Sequence, residues 1–187
     1  CSKVWRLQAE DMFENRMPSS GEEPLRRERL TVEGIVQGVG FRPFVYRLAQ
    51  RLGLYGHVKN TSSGVVIEIE GGLNSIEEFK TALSACKPPQ ADISKLRNNA
   101  LAIAGNAKTF SIEASEIGEE ISVAVLPDVA VCADCLREMN DSSNRRYRYP
   151  FINCTNCGPR FSIVTALPYD RANTTMHTFR ICDACMN

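Results

Sequence analysis

Apolar and polar positions along the chain change period several times, and each change marks an element. "RLTVEGIV", from Arg29 to Val36, alternates as a strand and runs into closely spaced glycines, Gly34, Gly38 and Gly40. "PFVYRLAQRLG" then places Phe44, Val45, Leu48, Ala49 and Leu52 at helical spacing, with Gly53 suited to the C-terminal cap. "YGHVKN", "SSG" and "VVIEIEG" read as strand, tight turn and strand. "SIEEFKTALSAC" predicts a second amphipathic helix with Ile76, Phe79 and Leu83 on one face. A break at Pro88 and Pro89 precedes "ADISKLRNNALAI", and "KTFSIEAS" reads as the last strand.

The order β-α-β-β-α-β is the split βαβ, or ferredoxin-like, arrangement of an α+β domain. It predicts a domain over residues 28–117, after a tail or linker at 1–27 that holds a Pro-rich stretch between Pro18 and Pro24. Gly118 to Val131 reads as a connector, followed by a small metal-stapled module over 125–187. No apolar run approaches the length of a membrane span, so no membrane contact is expected. Formal net charge is zero, which argues against nucleic acid as the partner even though "NRRYRYPFINC" mixes arginines with aromatics. Several of those aromatics are expected to cover the metal module.

Of the 8 cysteines, six form Cys-x-x-Cys pairs. Cys132-x2-Cys135 and Cys154-x2-Cys157, 18 residues apart, have the spacing of a four-thiolate zinc site. A module with so small an apolar complement needs such a staple. Reduced thiolates at this spacing predict a cytoplasmic protein. Cys182-x2-Cys185 supplies half of a second site two residues before the last, and the chain opens on Cys1. Both features are expected of a piece of a longer protein. His177 is a remote candidate for a nitrogen ligand, whereas Cys86 reads as a small buried apolar residue.

The glycine loop offers a row of backbone N–H groups at a helix N-terminus, a concave site for an anion. Gly38 and Gly40 let that anion come close, and Arg42 can fork two donors onto it. The loop is neither a Walker loop nor a dinucleotide fingerprint. Asn60, at the end of a strand expected beside the first, offers a donor and an acceptor suited to placing a water. Glu68 and Glu70 alternate with Ile67 and Ile69 and so are expected on a solvated strand face.

These residues resemble the acylphosphatase family. Gly34, Val36, Gly38, Val39, Phe41 and Arg42 match its first signature, Gly-x-Val-x-Gly-Val-x-Phe-Arg. Gly56, Val58, Lys59, Asn60, Gly64 and Val66 match its second, and His57 departs from the aromatic usual at its position. The resemblance implies that Gln37, Gly38, Val39, Gly40, Phe41 and Arg42 bind the substrate phosphate, and that Asn60 orients the attacking water. No metal is implied for that hydrolysis.

The sequence of an acylphosphatase-like domain, three cysteine pairs, "RYPFINCTNCGPRFSI" and "LPYDRANTTM" is similar to the N-terminal part of the HypF carbamoyltransferase family of [NiFe]-hydrogenase maturation. That similarity implies carbamoyl phosphate as substrate, structural zinc on Cys132, Cys135, Cys154 and Cys157, and a second finger begun by Cys182 and Cys185. It also implies HypE as partner of the whole protein, with ATP used by domains that follow. The alternatives are an acylphosphatase fused to a structural zinc module and a nucleic-acid-binding zinc protein.

Overall fold

The computed structural model describes residues 24–105, 108–116, 128–154, 157–158 and 160–180. Strand β1 (Leu25–Ile35) turns its even-numbered side chains inward, so Leu30 and Val32 are buried while Arg27 and Arg29 face the other way. It begins inside the stretch expected as linker, and the Leu73 amide donates to the Pro24 carbonyl at 3.2 Å. Helix α1 (Phe41–Arg51) follows the glycine loop, and Gly53 takes a left-handed φ of 65° just past its end. Strands β2 (Tyr55–Thr61) and β3 (Gly64–Gly72) form a hairpin, and helix α2 (Leu73–Ala85) follows directly.

The remaining strands depart from the expected pattern. The segment after the prolines is itself a strand, β4 (Asp92–Leu101), paired antiparallel with β1. The strand expected last is β5 (Phe110–Ile112), paired parallel with β2. The sheet order is β4-β1-β3-β2-β5, so β3 separates the strand bearing Asn60 from the first strand. Edge strand β4 carries mostly exposed polar side chains, and this hides its alternation from a hydrophobicity pattern.

Both helices cover one face of the sheet. Phe41, Phe44, Val45, Leu48 and Ala49 of α1, and Ile76, Phe79, Ala82 and Leu83 of α2, meet Val65, Ile67 and Ile69 of β3. The opposite face of β3 is not solvated as expected. Glu68 and Glu70 are each 6% exposed. Arg29 donates to Glu68 through Nε and Nη2 at 2.9 and 2.6 Å, and Arg27 Nη2 donates to its other oxygen at 2.8 Å. Glu70 accepts from the Ala104 and Gly105 amides at 2.8 and 2.9 Å. A buried carboxylate needs donors of this kind, and the arginines of β1 and the loop after β4 supply them. Cys86 is half-buried against the apolar cluster.

Beyond the sheet, Cys132 caps helix α3 (Ala133–Asn140), and 3-10 turns occupy Phe161–Ile163, Arg171–Asn173 and Thr175–Thr178. Val164 bridges Thr174, which closes the segment between them into a loop. The buried apolar residues of this part are Cys135, Ile152 and Cys157, with Val131 and Met139 packed against them. The aromatics expected to cover it do not: Tyr147, Tyr149, Phe151 and Phe161 are exposed. Among the described residues, no helix is long and apolar enough to cross a membrane.

Candidate active site

The loop between β1 and α1 is held from below by its own side chains. Val36, Val39 and Phe41 are buried in the core, and the Phe41 and Phe44 rings lie 5.9 Å apart. With those side chains committed to packing, the loop can offer a ligand its backbone amides. Gly38 and Gly40 have φ of 72° and 75°, a region that favours glycine, and Gly40 is the N-cap of α1. The first turn of α1 carries no acidic residue, so its N-terminal donors and dipole face the cleft without an internal counter-charge.

A cleft of about 210 Å³ opens over this loop, lined by Gly38, Gly40, Arg42, Asn60, Tyr169 and Asp170 among others. Arg42 and Asn60 therefore share one site, although their strands are not neighbours. Asn60 is 1% exposed, and its Oδ1 has no hydrogen-bond partner. Its Nδ2 donates to the Tyr169 carbonyl across a long 3.4 Å. An unpartnered buried acceptor is costly, about 1–3 kcal/mol, and its place beside Arg42 marks it as a group kept for a ligand or water. His57 does not line the cleft; its Nδ1 lies 3.6 Å from Glu113.

The wall formed by residues 169–171 was not expected. Arg42 Nη2 donates to Asp170 Oδ1 at 2.6 Å, and Ser115 Oγ donates to the other Asp170 oxygen. Arg42 Nη1 also approaches Ser115 Oγ at 3.4 Å. Gln37 is buried, and its side chain is fully engaged. Nε2 donates to the Thr61 and Gly64 carbonyls, both at 2.8 Å, while Oε1 accepts from the Tyr169 amide at 2.9 Å. Burial also pushes the Tyr169 phenol up, so it stays protonated at neutral pH. "LPYDRANTTM" was visible as a motif, but no local pattern ties Asp170 to an arginine 128 residues earlier.

Cys132, Cys135, Cys154 and Cys157 converge at the second site, with all four sulfurs within 4.8 Å of one another. The Cys132–Cys154, Cys135–Cys157 and Cys154–Cys157 separations are 3.5, 4.0 and 3.9 Å. A tetrahedral zinc bound at about 2.3 Å from each sulfur sets neighbouring sulfurs about 3.8 Å apart, so the donor set fits that ion. Burial and the adjacent thiols push the Cys135 thiol well up. Arg160 Nη2 donates to Cys157 Sγ at 3.4 Å and the Cys154 amide at 3.2 Å, contacts that stabilise negative charge on sulfur. His177 Nδ1 is turned to the Thr174 carbonyl at 2.8 Å. Cys182 and Cys185 lie outside the described residues.

A glycine cradle with an arginine at its mouth, on this sheet, defines an acylphosphatase-type domain, and the four-cysteine cluster defines a finger attached to it. The comparisons agree: the Acylphosphatase family matches residues 28–112, and the HypF finger matches 131–164. An acylphosphatase from Mannheimia succiniciproducens is 39% identical over 88 residues, which cover 97% of that protein and 46% of this chain. The chain belongs to the acylphosphatase family and carries a HypF finger after the family domain. Its sequence is 48% identical over 157 residues to "Carbamoyltransferase HypF2" of Cupriavidus necator, covering 83% of this chain. The crystal structure of full-length HypF in the phosphate- and nucleotide-bound form matches with a TM-score of 0.84 and 45% identity, over 90% of this chain and 22% of that one. The chain thus spans about a fifth of the length of the carbamoyltransferases it matches.

Proposed function

We propose that this chain is the segment of a HypF-type carbamoyltransferase that binds and hydrolyses carbamoyl phosphate. The amides of Gln37, Gly38, Val39, Gly40 and Phe41 hold the phosphate oxygens, and Arg42 matches their charge with paired donors. A water held by Asn60 attacks phosphorus. Its oxygen forms the new P–O bond, the bond to the acyl oxygen breaks, and that electron pair leaves as carbamate. The water's proton passes to a phosphate oxygen. Carbamoyltransferase activity named for the relatives supports the choice of acyl group.

The observation that carries this reading is the unpartnered Oδ1 of buried Asn60 in the cleft that Arg42 lines. An acceptor there suits a water proton; it would repel a phosphate oxygen. Hydrolysis measured by phosphate release tests it. Arg42→Ala is expected to lower kcat/KM by about 10²–10³-fold, the effect of removing a preorganised donor from developing charge. Asn60→Ala is expected to lower kcat more than it weakens inhibition by inorganic phosphate. Near-normal turnover by Arg42→Ala would refute the assignment.

The four thiolates of the finger hold a structural zinc ion that is not needed for hydrolysis, and Cys182 with Cys185 begins a second finger. In the whole protein the carbamoyl group passes, with ATP, toward HypE for [NiFe]-hydrogenase maturation. A compartment that keeps the thiols reduced, the cytoplasm, is the setting for both steps.

A further inference from the structure

Phosphate binding calls for donors, yet the wall over the cradle presents acceptors. The Asp170 carboxylate and the Tyr169 carbonyl both belong to the segment that lines the cleft opposite the glycine loop. Acceptors cannot face phosphate oxygens favourably, so they must serve another part of the bound molecule.

Asp170 is built into its position. Arg42 holds one carboxylate oxygen and Ser115 the other, and Asp170 is itself only partly exposed. A carboxylate has about four lone-pair sites, so two such contacts leave capacity for a further donor. Arg42 likewise has donors beyond those turned to Asp170 and Ser115. One guanidinium can therefore carry the phosphate on one side and orient this carboxylate on the other.

The wall is also an addition to the family fold. The acylphosphatase match ends at residue 112, and a whole acylphosphatase of this family is accounted for by less than half of this chain. Hydrolysis of an acyl phosphate does not of itself need Asp170. What distinguishes carbamoyl phosphate from an acyl phosphate such as acetyl phosphate is an amide NH2 in place of a methyl group, and that group is a donor. We propose that Asp170 is the specificity-determining residue of this site, accepting an N–H of the carbamoyl group while it remains on Arg42. The proposal rests on the carbamoyl phosphate reading.

The test compares carbamoyl phosphate and acetyl phosphate as substrates of the 187-residue chain, with spontaneous breakdown subtracted. The readout is the ratio of the two kcat/KM values. Asp170→Ala is expected to lower the carbamoyl-to-acetyl ratio by at least about tenfold, the scale of a lost hydrogen bond to a charged group. Asp170→Asn keeps an acceptor and the side-chain shape, so its ratio is expected to fall less. A matching gain on both substrates would overturn the proposal, showing that Asp170 is a plug that phosphate displaces. A matching loss on both would overturn it too, reducing Asp170 to a support for Arg42. If the unsubstituted chain hydrolyses neither substrate and binds no inorganic phosphate, the carbamoyl phosphate reading itself fails, and this proposal with it.

Discussion

The sheet domain buries twenty apolar side chains in one cluster, from Leu30 on β1 to Phe110 on β5, whereas the finger buries Cys135, Ile152 and Cys157. The first is held by hydrocarbon area, about 25 cal/mol for each Å² removed from water. The second has too little area for that, and its two cysteine residues in the cluster are metal-ligand candidates. Stability in one region should answer to side-chain volume, and in the other to a cation. The active site draws on both, because Arg42 and Asn60 come from the sheet domain and Tyr169 and Asp170 from the segment after the finger.

The largest effect expected from this contrast is on the finger. Metal binding to a structural four-thiolate site supplies about 10–16 kcal/mol at pH 7 in small finger peptides. Cys135→Ser, or a strong chelator, should therefore unfold residues 128–154 while the sheet domain keeps its own melting transition. Protease cleavage confined to that stretch, with near-unchanged thermal unfolding of the remainder, is the expected result. A loss of both transitions together would show that the regions fold as one unit.

Phe79→Ala should produce the converse. Phe79 is fully buried between α2 and the sheet, and truncating such a ring costs about 3–5 kcal/mol. The melting point of the sheet domain should fall by many degrees without release of bound zinc, measured by elemental analysis of the dialysed protein.

A smaller effect concerns the polar face of the sheet. Burial pushes the Glu68 carboxyl up, but hydrogen bonds from Arg29 and Arg27 outweigh it and hold the group below its usual value. Its contribution is therefore complete above the unfolded carboxyl value of about 4.3 and is lost as the pH falls through the folded value. Glu68→Gln should destabilise the sheet domain by about 1–2 kcal/mol at pH 7, and the difference from the parent should shrink on acidification. A difference in urea midpoint that stays constant down to pH 3 would contradict the ion-pair account.

What could be read from the sequence was what is local. The glycine turn into α1, the helical face of Ile76, Phe79 and Leu83, and the spacing of Cys132, Cys135, Cys154 and Cys157 all act within short stretches. The structure places them as expected. β4 escaped notice because an edge strand with exposed polar side chains leaves little hydrophobic rhythm to detect. Glu68 and Glu70 misled because alternation reports which side a residue faces; it cannot report that arginines roof that side. Asp170 was out of reach for a third reason. Its meaning depends on Arg42, and that proximity is a product of the finished fold.

The rim of the sheet bears on how these molecules behave when crowded together. An open strand edge is a template on which a second chain can add, and long, flat, apolar edges nucleate fibrils. β5 limits that hazard by being three residues long, and β4 by placing Lys95 and Arg97 along its ten residues. Like charges would be brought face to face if two copies aligned their β4 strands. The same exposed polarity that concealed β4 in the sequence thus works to keep concentrated chains apart.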